Sequence, residues 1–116
     1  MRKKLLSWQW EGYQNFHGDK LNLWIHLLSA PLFIMSTFSV IFALANFAWV
    51  PAAYSSGSMM VAFMVQALGH AREKNPAIPF EGPGDAITRI FAEQLITFPR
   101  FVLSGGWWRA MKSAQG

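Results

Sequence analysis

An all-α integral membrane protein is what this sequence predicts: a helical hairpin with additional amphipathic helices lying at the membrane interface. Three observations carry that reading. No Asp, Glu, Lys or Arg occurs from Leu21 through Ala71, and a small soluble core cannot hide so long an uncharged segment. The 116-residue chain is 53% hydrophobic and only 14% charged, too little polar cover for a soluble domain of that size. The basic residues flank the apolar runs as Arg2-Lys3-Lys4, Arg72/Lys74 and Arg109/Lys112. That placement suits anionic lipid and membrane topology and speaks against a nucleic-acid partner.

The chain reads as one membrane domain over residues 1–116. Residues 1–20 mix Trp8, Trp10, Tyr13 and Phe16 with polar residues, as an interfacial segment does, and show no cleaved leader. Residues 21–50 form the first membrane helix region. At about 1.5 Å per residue it outruns a hydrocarbon core of roughly 30 Å, so a break is expected at Pro31. Pro51 through Gly57 reads as a turn, and residues 58–71 as a short second helix rich in small residues and methionine. Met59, Met60 and Met64 are assigned to core packing. Residues 76–84 form a proline- and glycine-rich loop.

Asp85 is the expected N-cap of an amphipathic helix over residues 85–98, with Ile87, Ile90, Phe91, Leu95 and Phe98 on its apolar stripe and Arg89 and Glu93 off it. Residues 99–116 are an interfacial tail punctuated by Pro99 and Gly105-Gly106. Arg72, Arg89 and Arg100 are interfacial anchors. Basic clusters at the outer ends of both hairpin helices put both termini on the cytoplasmic side of a prokaryotic-type inner membrane.

Two polar files interrupt the apolar region. Asp19, Asn22 and His26 share one helical face, and Gln66, His70 and Glu73 repeat the pattern. An antiparallel hairpin sets the start of its first helix beside the end of its second, so His26 and His70 become neighbours. His17 can join them only if the chain bends at Gly18-Asp19. Without cysteine, the set offers nitrogen and oxygen ligands alone, which suits non-haem iron(II) ahead of zinc or manganese. Taken singly, each histidine is better explained by a headgroup contact or a packing hydrogen bond. Helix packing is also the commoner role for a residue such as Gln66.

The motifs Tyr13-x3-His17-x4-Asn22-x3-His26-x4-Pro31 and Gln66-x2-Gly69-His70-x2-Glu73-x2-Pro76-Ala77 resemble the membrane family of the fungal 2-hydroxy-palmitic acid dioxygenase. The resemblance runs from Tyr13 through Trp107 and is that of a compact prokaryotic branch. It implies an Fe(II)-dependent enzyme that uses dioxygen to cleave a 2-hydroxy fatty acid substrate to a fatty acid one carbon shorter, the reaction of fatty acid alpha-oxidation. It implies His17, His26 and His70 as metal ligands, Glu73 completing or orienting the shell, and Asn22 and Gln66 hydrogen-bonding ligands or substrate. Ser29-Ala30-Pro31 departs from the family pattern, which has glycine two residues before the proline. The rival readings are a haem or quinone site, and a non-enzymatic membrane protein whose polar stripes pack the hairpin, as a homo-oligomer or a partner-binding subunit.

Overall fold

The computed structural model describes residues 4–114, and the Arg2-Lys3 part of the N-terminal basic cluster lies outside them. The described residues are helical and contain no strand. Helix α1 (Leu5–Gly12) tightens into a 3-10 turn at Tyr13–Phe16. Asp19 then caps α2 (Lys20–Ala45), accepting from the backbone N–H of Asn22 at 3.0 Å. Helix α3 (Trp49–His70) runs back along it. After an irregular stretch come α4 (Pro83–Ala92), a π-helical turn (Glu93–Thr97), α5 (Phe98–Leu103) and α6 (Gly106–Ser113).

Several boundaries differ from the sequence reading. Helix α2 runs unbroken through Pro31. A proline removes one hydrogen bond of the ladder, and the α3 helix packed along α2 holds the rest in line. The hairpin turn falls at Asn46–Ala48, with Phe47 left-handed at φ 55°, instead of at Pro51–Gly57. Pro51 lies in the first turn of α3, where its missing N–H has no helical partner to lose. The second helix thus has 22 residues, not the fourteen positions from 58 to 71.

Asp85 is not the N-cap of α4. Gly82 holds that position with Pro83 first in the helix, and the Asp85 carboxylate reaches back to accept from the Glu81 N–H at 2.9 Å. Nor does the helix stop at Pro99. The π turn just before it widens the ladder where the proline ring would strike the carbonyl four residues back, and the chain stays helical to Leu103.

Polar side chains are buried beside the apolar core, and many large apolar ones are exposed. His26, Asn22, Gln94, Thr97, His17 and Gln66 are buried, whereas Phe42, Leu28, Met35, Leu68 and Tyr54 are each more than two-thirds exposed. Met60 and Met64 face outward rather than into a core. Along the stripe from Ile87 to Phe98, Phe98 is buried and Ile87 exposed, and Gln94 and Thr97 are buried as well. Among the described residues, α2 is the one helix long and apolar enough by length and composition to cross a membrane.

Apolar packing concentrates around Leu23, Tyr13, Phe98, Phe101 and Trp107, and Trp107 Nε1 donates to the Leu23 carbonyl at 2.9 Å, fastening α6 to α2. Gln9 links the N-terminal helix to the fourth, donating to the Arg89 carbonyl at 2.9 Å and accepting from the Thr97 hydroxyl at 2.7 Å. Arg100 stacks over Trp10 at 4.0 Å.

Gln66 and Gln94 form a paired amide. Gln66 Nε2 donates to Gln94 Oε1 at 3.1 Å and to Ser29 Oγ at 2.9 Å, and Gln94 Nε2 donates back to Gln66 Oε1. Replacing either glutamine by leucine strands the other amide and is expected to cost about 1–3 kcal/mol. The double replacement Gln66→Leu with Gln94→Leu removes both polar groups, and Ser29 keeps its bond to the Ile25 carbonyl. Thermal unfolding in detergent should find the double variant less destabilised than either single one; simple additivity would exclude the pairing.

Candidate metal centre

His17, His26 and His70 converge where the start of α2 meets the end of α3, and Glu93 joins them from the π turn. One ligand atom from each of the four lies within 4.8 Å of all the others. The three imidazoles form a nearly equilateral triangle, with ring centroids 4.9, 4.8 and 4.8 Å apart and interplanar angles of 88°, 76° and 84°. Atoms bound to one ion at about 2.0–2.2 Å stand roughly 3–4 Å from one another, so small side-chain movements complete the shell. The bend that His17 requires is present: the 3-10 turn ends at Phe16 and α2 begins only at Lys20.

Hydrogen bonds dictate which nitrogen of each ring is available. His17 Nδ1 lies 2.8 Å from the Tyr13 carbonyl, an acceptor, so the proton is on Nδ1 and the lone pair on Nε2. For His26 the tautomer is set by a relay. The Glu73 carboxylate only accepts; Asn22 Nδ2 donates to it at 2.6 Å, turning Asn22 Oδ1 toward His26 Nδ1 at 3.0 Å. His26 Nδ1 therefore carries its proton, and its Nε2 presents a lone pair. His17 Nε2, His26 Nε2 and His70 Nδ1 are buried without a hydrogen-bond partner. Burying such atoms unpaired costs about 1–3 kcal/mol each, and a cation satisfies all three.

Glu93 supplies the negative charge. Its Oε2 lies 3.4 Å from His17 Nε2 and 3.7 Å from His26 Nε2, and the side chain keeps 21% of its exposure. Burial by itself raises the Glu93 carboxyl, but the three imidazoles gathered around it outweigh that and pull the group down to about 2. Tyr13 stacks on His17 at 3.9 Å and donates its hydroxyl to Glu93 Oε2 at 2.8 Å. Burial, then the charge and hydrogen bond of Glu93, raise the phenol well above its ordinary value, so it stays a donor.

Of the two roles expected for Glu73, completing the shell or orienting it, the geometry favours the second. Glu73 is absent from the ligand cluster and accepts instead from Gly18 N at 2.8 Å, Asp19 N at 3.1 Å and Asn22 Nδ2. It braces the turn that swings His17 inward and orients Asn22. Asn22 is wholly buried and acts on His26 rather than on substrate. Gln66 borders the cavity beside the site, but its amide nitrogen is taken up by Ser29 and Gln94. Glu93 was missed because it falls off the apolar stripe of its helix; the Glu93-Gln94 polar pair in an otherwise apolar stretch was the available signal.

A cavity of about 490 Å³ opens onto His17, His70 and Glu93, with His26 behind them. Arg89 holds its outer wall, donating to the Ile78 carbonyl at 2.8 Å and the Pro79 carbonyl at 3.1 Å, with its guanidinium 4.5 Å from the Phe80 ring. The four clustered side chains could hold a metal ion. No protein-family model, curated protein or solved structure matches the chain.

Proposed function

We propose that this chain is an integral membrane enzyme that binds Fe(II) through His17, His26, His70 and Glu93 and cleaves 2-hydroxy fatty acids with dioxygen. Convergence of three buried, unpartnered imidazole nitrogens on one ionised carboxylate is the observation that carries the metal reading. The exposed large apolar side chains along α2 and α3 support residence in a bilayer. Both hairpin helices span in this reading, with both termini on the cytoplasmic face of a prokaryotic inner membrane and α1, α4 and α6 at the interface. The motif resemblance described above supplies the substrate class.

The reaction balances without an outside reductant. R–CH(OH)–COOH and O2 give R–COOH, CO2 and H2O: the bond between C1 and C2 breaks, C2 is oxidised to a carboxyl and dioxygen takes up the four electrons. Bound iron(II) supplies a chelation point for the carboxylate and hydroxyl and the capacity to activate dioxygen. The protein supplies the rest. His17, His26 and Glu93 are held in fixed orientation by Tyr13, Asn22 and Glu73, which keeps the donor set preorganised. Tyr13 Oη keeps its proton directed at Glu93 Oε2, and the apolar cavity wall limits water.

Anaerobic reconstitution with iron, then exposure to dioxygen with 2-hydroxypalmitate, should yield pentadecanoate and one CO2 per O2 consumed. Palmitate lacks the hydroxyl needed for chelation and should not be cleaved. Palmitate cleaved as well as 2-hydroxypalmitate, or no iron retained, would defeat the proposal.

A further inference from the structure

One wall of the cavity beside the ligand cluster is not helical. It is the strap from Pro76 through Phe80, which lines the cavity along its whole length and stays exposed. Residues 74–81 make no backbone–backbone hydrogen bond with any described residue. The strap is moored at its ends, where Asn75 Nδ2 donates to the Asn15 carbonyl at 2.8 Å and the Glu81 N–H donates to Asp85 at 2.9 Å. Between those ends, its hydrogen bonds to described residues all come from the Arg89 guanidinium, which donates to the carbonyls of Ile78 and Pro79.

Arg89 also holds the neighbouring wall. Its guanidinium lies 5.0 Å from the Trp8 ring and 4.5 Å from the Phe80 ring, and its backbone carbonyl accepts from Gln9. Trp8 and Gln9 belong to α1, so one residue of α4 joins α1 to the strap at the cavity. The Arg89 side chain is only 11% exposed, and a cation so enclosed is unfavourable unless its contacts offset the loss of water. His17 Nε2, His26 Nε2 and His70 Nδ1 are buried, and the cavity borders His17, His70 and Glu93. An ion bound for the cluster therefore passes between these walls.

We infer that Arg89 is a positioning residue that clamps the strap to α1 and thereby governs exchange between the ligand cluster and solvent. Released from Arg89, the strap keeps its end moorings and the cavity opens beside the cluster. Uptake and loss of an ion then quicken by the same factor, because the clamp changes how often the cavity is open and not how the ion is held. The clamp rests on the contacts; what it guards rests on the metal reading proposed above.

Arg89→Gln tests this in the full-length protein in detergent, and Phe80→Ala removes one contact of the clamp from a half-exposed position. A hydrogen bond from a charged donor shifts an opening equilibrium by about tenfold or more. Arg89→Gln should therefore take up iron(II) anaerobically, and release it to a chromogenic chelator, about tenfold faster than wild type, with affinity held within about twofold. Phe80→Ala should raise both rates by a smaller factor. Weakened affinity with unchanged uptake would mean that Arg89 supports the ligand shell itself, and it overturns the clamp, as do unchanged rates in both variants. If Arg89→Gln does not fold, Phe80→Ala decides by the same criterion.

A second readout needs no metal. The chain has no cysteine, so Phe63→Cys places a single thiol on the cavity wall, and Tyr54→Cys, at a position 77% exposed, is its control. In the metal-free protein, adding Arg89→Gln should speed maleimide labelling at residue 63 about tenfold and leave labelling at residue 54 unchanged. Equal labelling at residue 63 with and without Arg89→Gln overturns the clamp. Faster labelling there, with no iron bound by the wild type, keeps the clamp and removes the metal reading.

Discussion

Glu93→Gln should strip the metal from the purified protein, whereas Glu73→Gln should leave it bound but weakened by about 10- to 100-fold. The two glutamates lie at the same centre and do different work. Glu93 presents an ionised oxygen within 3.4 Å and 3.7 Å of two histidine Nε2 atoms, and an amide there withdraws the one negative charge that faces the ion. Glu73 bonds to Asn22 and the backbone of Gly18 and Asp19 and lies outside the ligand cluster. A glutamine at 73 still accepts through its carbonyl oxygen, so the turn survives with fewer bonds and Asn22 loses the partner that fixes its orientation. Metal content after dialysis against a weak chelator separates the two. Retention by Glu93→Gln together with loss by Glu73→Gln would make Glu73, not Glu93, the carboxylate that completes the shell. Equal retention by both would remove either carboxylate from the centre.

How much could be read from the sequence depended on whether a feature was local. His26 and Asn22 share a face because helix periodicity puts them there, and His70 meets them because a hairpin leaves few alternatives. The bend before α2 was required by the same argument, whereas the cap at Asp19 emerged only in the structure. Glu93 escaped the face-counting because the π turn at Glu93–Thr97 alters the helical period just where the polar pair turns inward, so the pair itself was its only local signal. Proline misled twice in the α2–α3 hairpin. A proline rule marks where a helix is weakened, but neighbouring packing decides whether it breaks, as Pro31 within α2 and Pro51 in the first turn of α3 demonstrate.

Gly69→Ala should release metal although residue 69 touches none of it. By propensity alone the change favours the helix by up to about 1 kcal/mol, which would make the substitution mildly stabilising. Packing opposes it. A Cβ on residue 69 would lie 2.2 Å from Asn22 Oδ1 and 3.1 Å from its Cγ, with Ile25 Cδ1 at 3.4 Å, and overpacking of a tight contact costs about 1–3 kcal/mol. Asn22 is fully buried, sits on a continuous helix and is tied to Glu73 at 2.6 Å, so it has little room to yield. Relief comes only by rotating its Oδ1 away from His26 Nδ1 or by spreading α2 from α3. Either movement frees the His26 ring to turn its lone pair from the centre, and metal affinity should drop about 10- to 100-fold, the usual loss when a residue that orients a ligand is removed. The test is a cycle with Asn22→Ala, which gives up the same orienting bond and also clears the space. If Gly69 acts through Asn22, the double variant should bind metal no more weakly than Asn22→Ala alone. Additive losses would mean that residue 69 affects the centre by some other contact, and full metal retention by Gly69→Ala would mean that the relay from Glu73 through Asn22 to His26 does not govern the site.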